Sequence, residues 1–232
     1  MNQLNPGSLA KVYMLGSLTD AESRALEKAC KWKRYSASEQ IIDRQNETTD
    51  ICFVVEGKVR IVNYSLSGRE ITLDDHAAGD CFGELSAIDG QPRSASVMAL
   101  EECLVASLGQ EQFHALLSGH PGIALEMMKY LAQMVRTSTE RIMDLSTLAA
   151  NNRVQADLLR QALTNMQGEK QAHIKPIPVH ADIASRVSTT RETVARVMND
   201  LAREGIIERR KDALVIHDVE KLQEMVELVR GE

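Results

Sequence analysis

The chain has 232 residues, a size that accommodates two domains of ordinary dimensions. Hydrophobic residues make up 44% and charged residues 26%, which is typical of a globular protein and excludes a largely disordered one. Aromatic residues account for only 3%, which argues against a protein that stacks single-stranded bases on aromatic side chains. No apolar run approaches a membrane span, and the first ten residues lack the features of a secretory signal, so a cytoplasmic protein without membrane association is expected.

The net charge of −6 is unevenly distributed along the chain. Residues 170–211 hold nine Lys or Arg and five Asp or Glu, whereas residues 212–232 hold two and six. A basic segment within an acidic protein is typical of a DNA-binding domain attached to a domain of another kind. A solvated basic face is the alternative interpretation of the same pattern.

The N-terminal half shows a short helix followed by a β-rich segment. Residues 19–30, TDAESRALEKAC, have the pattern of an amphipathic helix. From residue 32 to 108 the pattern changes to short runs rich in strand formers, such as ICFVVEG and KVRIVNYS, separated by turn residues. Gly57, Gly68 and Gly79 recur every 11 residues, as expected for the turns of successive hairpins. This segment is predicted to form an antiparallel sandwich or jelly-roll.

A candidate anion site lies within residues 79–99, GDCFGELSAIDGQPRSASVMA. Gly83 permits a close backbone approach, and the GELSA run can open a short helix whose free N–H groups face an anion. Arg93 can return to pair with that anion, and Glu84 can accept a hydrogen bond from a sugar hydroxyl. The combination is suited to a small sugar phosphate. An ordinary turn followed by a surface arginine is the alternative interpretation.

A helical pattern runs from about Gln110 to Ala150 and carries an apolar seam. The seam positions alternate spacings of four and three residues, as in a coiled coil: Leu131, Val135, Ser138, Ile142, Leu145 and Ala149. No second helix of this type occurs in the chain, so a parallel homodimer is the simplest expectation. The alternative is a helix that lies on its own β-domain. Asn151 and Asn152 are predicted to end or bend this helix and to form a hinge.

The C-terminal part begins with a predicted helix, VQADLLRQALTNM, followed by a polar loop, QGEKQAHIKPIP. Residues 179–218 are then predicted to form a helix, a tight turn, a second helix and a β-hairpin wing. In the second helix an apolar stripe has helical spacing: Val194, Val197, Met198 and Leu201. Glu192, Arg196 and Asn199 project from the opposite side, and Arg191 lies in the first turn. Such a helix is suited to the major groove, because arginine can bind guanine and glutamate can accept a hydrogen bond from cytosine.

The first turn of this second helix allows another interpretation. Thr189 and Glu192 have the spacing of a capping box, in which both side chains only satisfy backbone N–H groups. Surface arginines are also common in proteins. The interpretation as a DNA reader therefore depends on the combination of paired helices, wing and local positive charge.

The string TTRETVARVMNDLAREGII resembles the recognition-helix segment of the Crp/Fnr superfamily of transcription regulators, of the cyclic AMP receptor type, and contains its R-E-T-V-x-R core. The resemblance implies that Arg191 and Arg196 contact guanines of a TGTGA-type half-site and that Glu192 contacts a cytosine. It also implies that Thr189 and Thr190 hold phosphates at the N-terminus of the helix.

The string FGELSAIDGQPRSASV resembles the phosphate-binding cassette of the cyclic-nucleotide-binding domains of the same superfamily. The resemblance implies a nucleotide site made of six residues: Gly83, Glu84, Leu85, Ser86, Arg93 and Ser94. In this site the cyclic phosphate is bound by Arg93, by Ser94 and by backbone N–H groups of Glu84 and its neighbours. The side chain of Glu84 binds the ribose 2′-hydroxyl. Ser138 and Thr139 match a Thr-Ser pair that contacts the adenine from both subunits, but in swapped order. Cyclic AMP is the expected effector, and cyclic GMP stays open.

The resemblance covers about residues 13–217 and implies an α+β fold in three parts. We expect a cyclic-nucleotide-binding β-roll, or jelly-roll, with an N-terminal helix at residues 1–112, a long dimerisation helix at 113–150, and a winged helix-turn-helix at 151–232. The predicted protein is an allosteric homodimer that binds palindromic double-stranded DNA in the nucleoid and has RNA polymerase as a partner. Two alternatives stay open: a regulator of the same fold with another or no effector, and a cyclic-nucleotide-binding regulatory protein that does not bind DNA.

Other chemistries find little support in the sequence. The cysteines occur singly, without the spacing of zinc or iron–sulfur ligands, so free, mostly buried thiols are expected: Cys30, Cys52, Cys81 and Cys103. His76 lies in the β-domain, from which haem-sensing relatives take a ligand, but is interpreted as an exposed loop residue, and no haem is expected. The adjacent pairs Glu101–Glu102 and Asp74–Asp75 would point apart on a strand. No nucleophile–base motif or Walker loop occurs, so the protein is predicted not to be an enzyme.

Overall fold

A computed structural model describes residues 8–230 and divides the chain into two compact units between Met134 and Val135. The N-terminal unit contains 3-10 helices at Ser8–Lys11 and Tyr13–Leu15, then α1 (Asp20–Ala29), β1 (Lys31–Tyr35), β2 (Gln40–Ile42), β3 (Ile51–Glu56), β4 (Lys58–Tyr64), β5 (Glu70–Ala77), β6 (Cys81–Phe82), α2 (Glu84–Asp89), β7 (Ser96–Ala99), β8 (Cys103–Leu108) and α3 (Gln110–Gly119). Helix α4 (Pro121–Thr147) crosses the division. The C-terminal unit continues with α5 (Ala150–Thr164), β9 (Met166–Gln167), β10 (Gln171–Ile174), α6 (His180–Arg186), α7 (Arg191–Arg203), β11 (Ile207–Arg209), β12 (Leu214–Ile216) and α8 (Val219–Arg230).

The strands of the N-terminal unit form two four-stranded antiparallel sheets, in the orders β1-β8-β3-β6 and β2-β7-β4-β5. Strand β3 is buried over five of its six residues. Because successive side chains of a strand point to opposite faces, Phe53 enters one hydrophobic core with Phe113 and Ile123, whereas Val54 enters a second core with Phe82. The predicted β-roll is confirmed, and it supports α2 and the segment that carries Arg93.

The local predictions for this unit are also confirmed. The helix predicted at 19–30 is α1, and Thr19 caps it in a capping box with Glu22. Gly57, Gly68 and Gly79 all have positive φ and lie in the turns that follow β3, β4 and β5. Spacing and residue type were sufficient here because a short amphipathic helix and a tight turn are defined by neighbouring residues.

The helical pattern predicted between Gln110 and Ala150 is interrupted near its beginning. Helix α3 ends at Gly119, His120 leaves the helical conformation with φ −130° and ψ 81°, and Pro121 opens α4. A proline disfavours the helical conformation of the residue before it and has no N–H, so it is well accommodated at the first position of a helix. The apolar seam therefore belongs to α4 alone.

The prediction that Asn151 and Asn152 end or bend the long helix is wrong. The interruption lies at Leu148 and Ala149, and both asparagines lie in the first turn of α5. Ala149 is extended, with φ −64° and ψ 158°, and Leu148 is buried in the core of the C-terminal unit. Burial of Leu148 requires the chain to turn before the asparagines, which explains the earlier break.

The C-terminal unit packs α5–α8 with one antiparallel sheet in the order β11-β12-β10-β9. The predicted helix-turn-helix and wing are confirmed as α6, α7 and the β11–β12 hairpin. The segment predicted as a polar loop instead contains the short strands β9 and β10. Ala172 and Ile174 are buried, and β10 pairs with β12, 40 or more residues further along the chain. A strand this short is defined by its distant partner, which the local sequence does not reveal.

A chain of ion pairs connects four helices of the C-terminal unit. The Asp144 carboxylate of α4 accepts hydrogen bonds from Arg160 Nη1 at 2.5 Å and from Arg230 Nη2 at 2.6 Å. The Asp157 carboxylate of α5 accepts from Arg186 of α6, with a shortest distance of 3.1 Å. Both aspartates are 3% exposed. The last turns of α4 are therefore fastened to α5 and α8, and α5 to the first helix of the helix-turn-helix.

The four cysteines are free and buried, as predicted. Burial, with a smaller effect of Glu27, raises the pKa of Cys30 to about 12. Since thiolate is the reactive form, we expect the native protein to react slowly with a disulfide reagent such as DTNB, with Cys30 about a thousandfold slower than an exposed thiol. The measurement is the rate of reagent absorbance change for folded protein, compared with protein in urea. A rapid reaction of even one thiol in the folded protein contradicts this expectation.

Candidate functional site

Arg93 is buried at the predicted phosphate position and is held by three hydrogen bonds. It is 4% exposed. Its Nε donates to Thr48 Oγ1 at 3.1 Å, Nη1 to the Gly83 carbonyl at 3.0 Å, and Nη2 to the Asp50 carbonyl at 2.9 Å. The Asp50 carboxylate also lies 3.5 Å from Nη2. Thr48 and Asp50 were not predicted, because they precede β3 in a segment with no periodic pattern, more than 40 residues before Arg93.

Gly83 and Arg93 are brought together, as the cassette pattern predicts. Gly83 has φ 78° and precedes α2 without any side-chain cap. A Cβ added at this position would lie 2.5 Å from Arg93 Nη1 and 3.1 Å from the Asp50 carbonyl oxygen. Glycine is required here both by the left-handed conformation and by the approach of the guanidinium.

The first turn of α2 presents one buried carboxylate and one buried hydroxyl. Glu84 is buried, and this burial raises its pKa, opposed by hydrogen bonding to its own backbone N–H and by the charges of His76 and Arg93. Ser86 Oγ is buried and has no hydrogen-bond partner within residues 8–230. Leu85 lies between them and is exposed. A carboxylate beside a fixed guanidinium can accept a ligand hydroxyl while the guanidinium holds an anion.

The other residues predicted to contact the nucleotide are exposed. Ser94 is exposed, and its carbonyl accepts a hydrogen bond from Asn63 Nδ2 at 3.2 Å. Ser138 and Thr139 are exposed on α4 in the C-terminal unit, where Thr139 Oγ1 donates to the Val135 carbonyl at 2.9 Å. Their contact with a base stays a prediction.

The interpretation of His76 as an exposed loop residue is wrong. His76 lies within β5, opposite Val59 of β4, and is 7% exposed. Its Nε2 is 3.7 Å from an oxygen of Asp74, and its ring meets that of Tyr130 edge-on, with 6.4 Å between the centroids. Strand β5 extends to Ala77, so that the turn begins after the histidine and not before it.

Helix α4 leaves an apolar stripe exposed along the predicted seam. Val135 is 65% exposed, and Ile142 and Leu145 are also exposed. Leu131 is half-buried against the core of the N-terminal unit, and Ala149 lies beyond the end of α4. The middle of the seam is thus an unpartnered apolar face within the residues that the structure describes.

The second helix of the helix-turn-helix, α7, has the two faces that the sequence predicts. The apolar stripe is buried in the core of the C-terminal unit: Val194, Val197, Met198 and Leu201. Glu192 and Arg196 are exposed on the other side, and Arg191 is exposed in the first turn. Arg196 Nη2 donates to Asn151 Oδ1 of α5 at 3.0 Å. The exposed face therefore presents two guanidinium groups and one carboxylate at the start of a helix, where the macrodipole favours phosphate.

The capping-box interpretation of Thr189 and Glu192 is wrong. The N-cap is Thr190, whose Oγ1 accepts a hydrogen bond from the Thr193 N–H at 3.3 Å. Thr189 N–H instead donates to the Ala184 carbonyl and closes the turn between the two helices. Glu192 is the second residue of the helix, not the third as a capping box requires, and hydrogen bonds to its own backbone N–H and to the Thr190 side chain lower its pKa.

Arg153 was not predicted as a structural residue, yet it holds the turn of the helix-turn-helix. Its guanidinium donates to the carbonyls of Val187 at 2.9 Å, Ser188 at 3.1 Å and Leu148 at 2.9 Å. It therefore joins the α4–α5 break to the turn that precedes α7. An arginine in an otherwise ordinary amphipathic helix carries no local signal of such a role.

Two structural findings concern other kinds of site. Among the helices of residues 8–230, none is both long and apolar enough to cross a membrane. Within the same part of the chain, no three or more His, Cys, Asp and Glu side chains are grouped so as to hold a metal ion.

Comparison with known proteins assigns both units. Residues 32–120 match the cyclic nucleotide-binding domain family, and residues 152–225 match the Crp-like helix-turn-helix domain family. The chain is 32% identical over 172 residues to the cyclic AMP receptor protein of Thermus thermophilus, covering 74% of this chain and 77% of the relative. It is 25% identical over 192 residues to the cAMP-activated global transcriptional regulator CRP of Salmonella typhimurium, covering 81% and 90%.

A solved structure supports the fold over nearly the whole chain. A mutant of CooA from Carboxydothermus hydrogenoformans aligns with a TM-score of 0.80 and 23% identity, covering 97% of each chain. The α+β fold with an N-terminal cyclic-nucleotide-binding β-domain, a long helix and a C-terminal helix-turn-helix is therefore that of Crp-type regulators. The chain belongs to the Crp/Fnr superfamily of transcription regulators, as a protein with a cyclic-nucleotide-binding domain and a DNA-binding domain.

Proposed function

We propose that the protein is a homodimer that binds cyclic AMP in its β-roll and, when cyclic AMP is bound, a TGTGA-type palindrome through α7. The observation that carries the effector assignment is the buried Arg93 guanidinium, held by three hydrogen bonds beside Gly83. A guanidinium has five N–H donors, so two remain outside these bonds and can hold a phosphate. A charge-assisted hydrogen bond of this kind is about twice as strong as one between neutral groups.

The nucleotide chemistry is supported by the neighbours of Arg93. A cyclic nucleotide offers an anionic phosphate for Arg93 and a free ribose hydroxyl for the buried carboxylate of Glu84. The names of the relatives described above support adenine as the base. The swapped order of Ser138 and Thr139 leaves the discrimination between adenine and guanine to experiment.

The exposed stripe of α4 supports the homodimer. Val135, Ile142 and Leu145 follow a spacing of seven and three residues and remain in solvent. An exposed apolar seam with this spacing is covered when the same helix of a second copy packs against it. Two copies of α7 about 34 Å apart would then meet successive major grooves on one side of the DNA, which is the reason for proposing a palindrome.

We propose that the effector acts by shifting a population of conformations. The α4–α5 break at Leu148 and Ala149 lies beside the two contacts that lead to the DNA-binding helices. Arg153 joins the break to the helix-turn-helix turn, and Asn151 contacts Arg196 of α7. A change in α4 would reorient α7 through these contacts. RNA polymerase is the proposed partner once the protein is bound to DNA.

The decisive experiment combines two titrations of the purified protein. Calorimetry with cyclic AMP and cyclic GMP tests the effector, and we expect micromolar or tighter binding of cyclic AMP. A mobility-shift assay on DNA with a TGTGA palindrome, with and without the nucleotide, tests the switch. Binding of neither nucleotide would show a regulator with another or no effector. Equal DNA affinity with and without cyclic AMP would contradict the switch, even if both ligands bind.

We expect Arg196→Ala to weaken binding to the palindrome by about tenfold to a hundredfold, because one bidentate arginine–guanine contact is worth about 1–3 kcal/mol. Discrimination at the base pair that Arg196 reads should be lost at the same time. Binding to a panel of half-sites substituted at each position measures both effects.

Arg203→Ala is the matched control, because Arg203 lies in the last turn of α7 and pairs with Asp200. We expect it to leave the base preference unchanged. A uniform loss across all half-sites in Arg196→Ala would instead indicate a phosphate contact, with no base reading.

A further inference from the structure

His76 is a buried polar residue with an unsatisfied nitrogen. Its Nδ1 atom is buried and has no hydrogen-bond partner within the residues that the structure describes. The other nitrogen, Nε2, is 3.7 Å from Asp74, too far for a hydrogen bond, so it does not determine which nitrogen carries the proton. A buried polar atom without a partner destabilises the folded state, and native structures contain few of them. A partner outside the polypeptide explains why this cost is tolerated.

The surroundings of His76 point to the nucleotide site as the place of that partner. The ring packs edge-on against Tyr130, and its strand neighbour across the sheet is Val59. Burial raises the pKa of Glu84, and the charge of nearby His76 opposes this rise. The charge of Glu84 in turn raises the pKa of Tyr130. The second buried polar atom without a partner in residues 8–230 is Ser86 Oγ, two residues after Glu84. Ser86 lies in the same helix turn as Glu84, and the charge of His76 acts on Glu84, so both unsatisfied groups belong to the part of the unit that is proposed to bind ribose.

We propose that His76 is a further effector-binding residue. Its Nδ1–H donates a hydrogen bond to the ribose hydroxyl, and the same hydroxyl donates a hydrogen bond to the Glu84 carboxylate. This inference rests on the proposed binding of a cyclic nucleotide. The 2′-hydroxyl is the one free hydroxyl of a 3′,5′-cyclic nucleotide, and a hydroxyl both donates and accepts. Glu84 accepts from it, so any second partner must donate. His76 therefore contributes to the recognition of ribose, whereas Arg93 contributes to the recognition of phosphate.

Three substitutions at His76 separate a hydrogen bond from a packing role. The side-chain amide nitrogen of asparagine occupies about the position of Nδ1, and that of glutamine about the position of Nε2. We therefore compare His76→Asn, His76→Gln and His76→Leu by calorimetric titration with cyclic AMP and with its 2′-deoxy analogue. For cyclic AMP we expect about a tenfold loss of affinity in the leucine and glutamine variants, with the asparagine variant near the unsubstituted protein. For the deoxy analogue, all four proteins should bind alike.

Val59→Ala is the matched control, since Val59 is buried opposite His76 and has no polar group. It should change the affinity for both nucleotides by the same factor. Should the leucine variant fail to fold, the comparison of asparagine with glutamine still decides the question.

The outcomes distinguish this inference from the proposed function. If the unsubstituted protein binds neither cyclic AMP nor cyclic GMP, both fail together. If it binds cyclic AMP and Arg93→Ala abolishes binding, while the His76 variants lose equally for both nucleotides or lose nothing, the role of His76 alone is refuted. A selective loss for cyclic AMP over the deoxy analogue, restored by asparagine, establishes it.

Discussion

Replacement of Arg93 by alanine is expected to reduce cyclic AMP affinity by about a hundredfold to a thousandfold. The guanidinium is a buried cation at the proposed phosphate position, and two charge-assisted hydrogen bonds to a phosphate are worth about 3–4 kcal/mol together. Lysine should restore only part of the affinity, because a point charge does not reproduce the planar fork. Calorimetric titration measures the loss.

The interpretation of this result requires a folded variant, because Arg93 also bonds to Thr48, Gly83 and Asp50. Thermal unfolding of the unliganded protein provides that control. Arg69→Ala, an exposed arginine of the same unit, should change neither stability nor affinity. Retention of full cyclic AMP affinity by a folded Arg93→Ala protein would remove the main support for the proposed effector site.

Asp144→Ala is expected to destabilise the C-terminal unit by about 3 kcal/mol. The substitution leaves Arg160 and Arg230, each about three-quarters buried, without their shared carboxylate. Removing one partner of a buried ion pair costs more than the pair contributes, because the remaining charge stays desolvated. Urea unfolding followed by circular dichroism should show a lower midpoint with an unchanged slope.

Two further measurements locate the effect of Asp144→Ala. The single tryptophan, Trp32, lies in the N-terminal unit, so its fluorescence reports on the β-roll. We expect the fluorescence transition to move less than the transition seen by circular dichroism. Asp200→Ala removes an exposed ion pair with Arg203 in the same unit and should cost less than about 1 kcal/mol. If Asp144→Ala and Asp200→Ala lower the free energy of unfolding equally, the buried ion pairs stabilise the unit no more than an exposed one.

The ion-pair chain also gives a physical meaning to the proposed switch. Because Asp144 fastens the last turns of α4 to α5 and α8, a movement of these turns moves the C-terminal unit with them. The break at Leu148 and Ala149 follows directly, and Arg153 donates a hydrogen bond to the Leu148 carbonyl there. In the proposed switch, coupling between ligand and DNA would depend on Asp144 and Arg153, which are not proposed to contact either ligand.

Several features of the fold could be predicted because they depend on neighbouring residues. The buried stripe of α7 follows from the helical period, and the cap at Thr19 follows from its spacing to Glu22. The pairing of Gly83 with Arg93 was also predictable, although only as a motif, since nothing in the intervening residues shows that the chain returns to the same place.

Other features could not be predicted because their partners are far along the chain. Asp144 and Arg230 are 86 residues apart, and Arg93 and Thr48 are 45 residues apart. The sequence does not show that His76 lies in a strand, because the end of β5 is determined by pairing with β4, not by the residues of the strand itself.

By itself, the sequence of this protein determined the order of its domains, the apolar faces of its helices and the residue types of its two candidate sites. These properties are periodic or local, and the side chains that produce them are neighbours in the chain. Only the tertiary structure decided where the long helix breaks, that His76 is buried, and which groups hold Arg93. Those features depend on burial and on hydrogen bonds between distant segments, and such contacts exist only once the whole unit has packed.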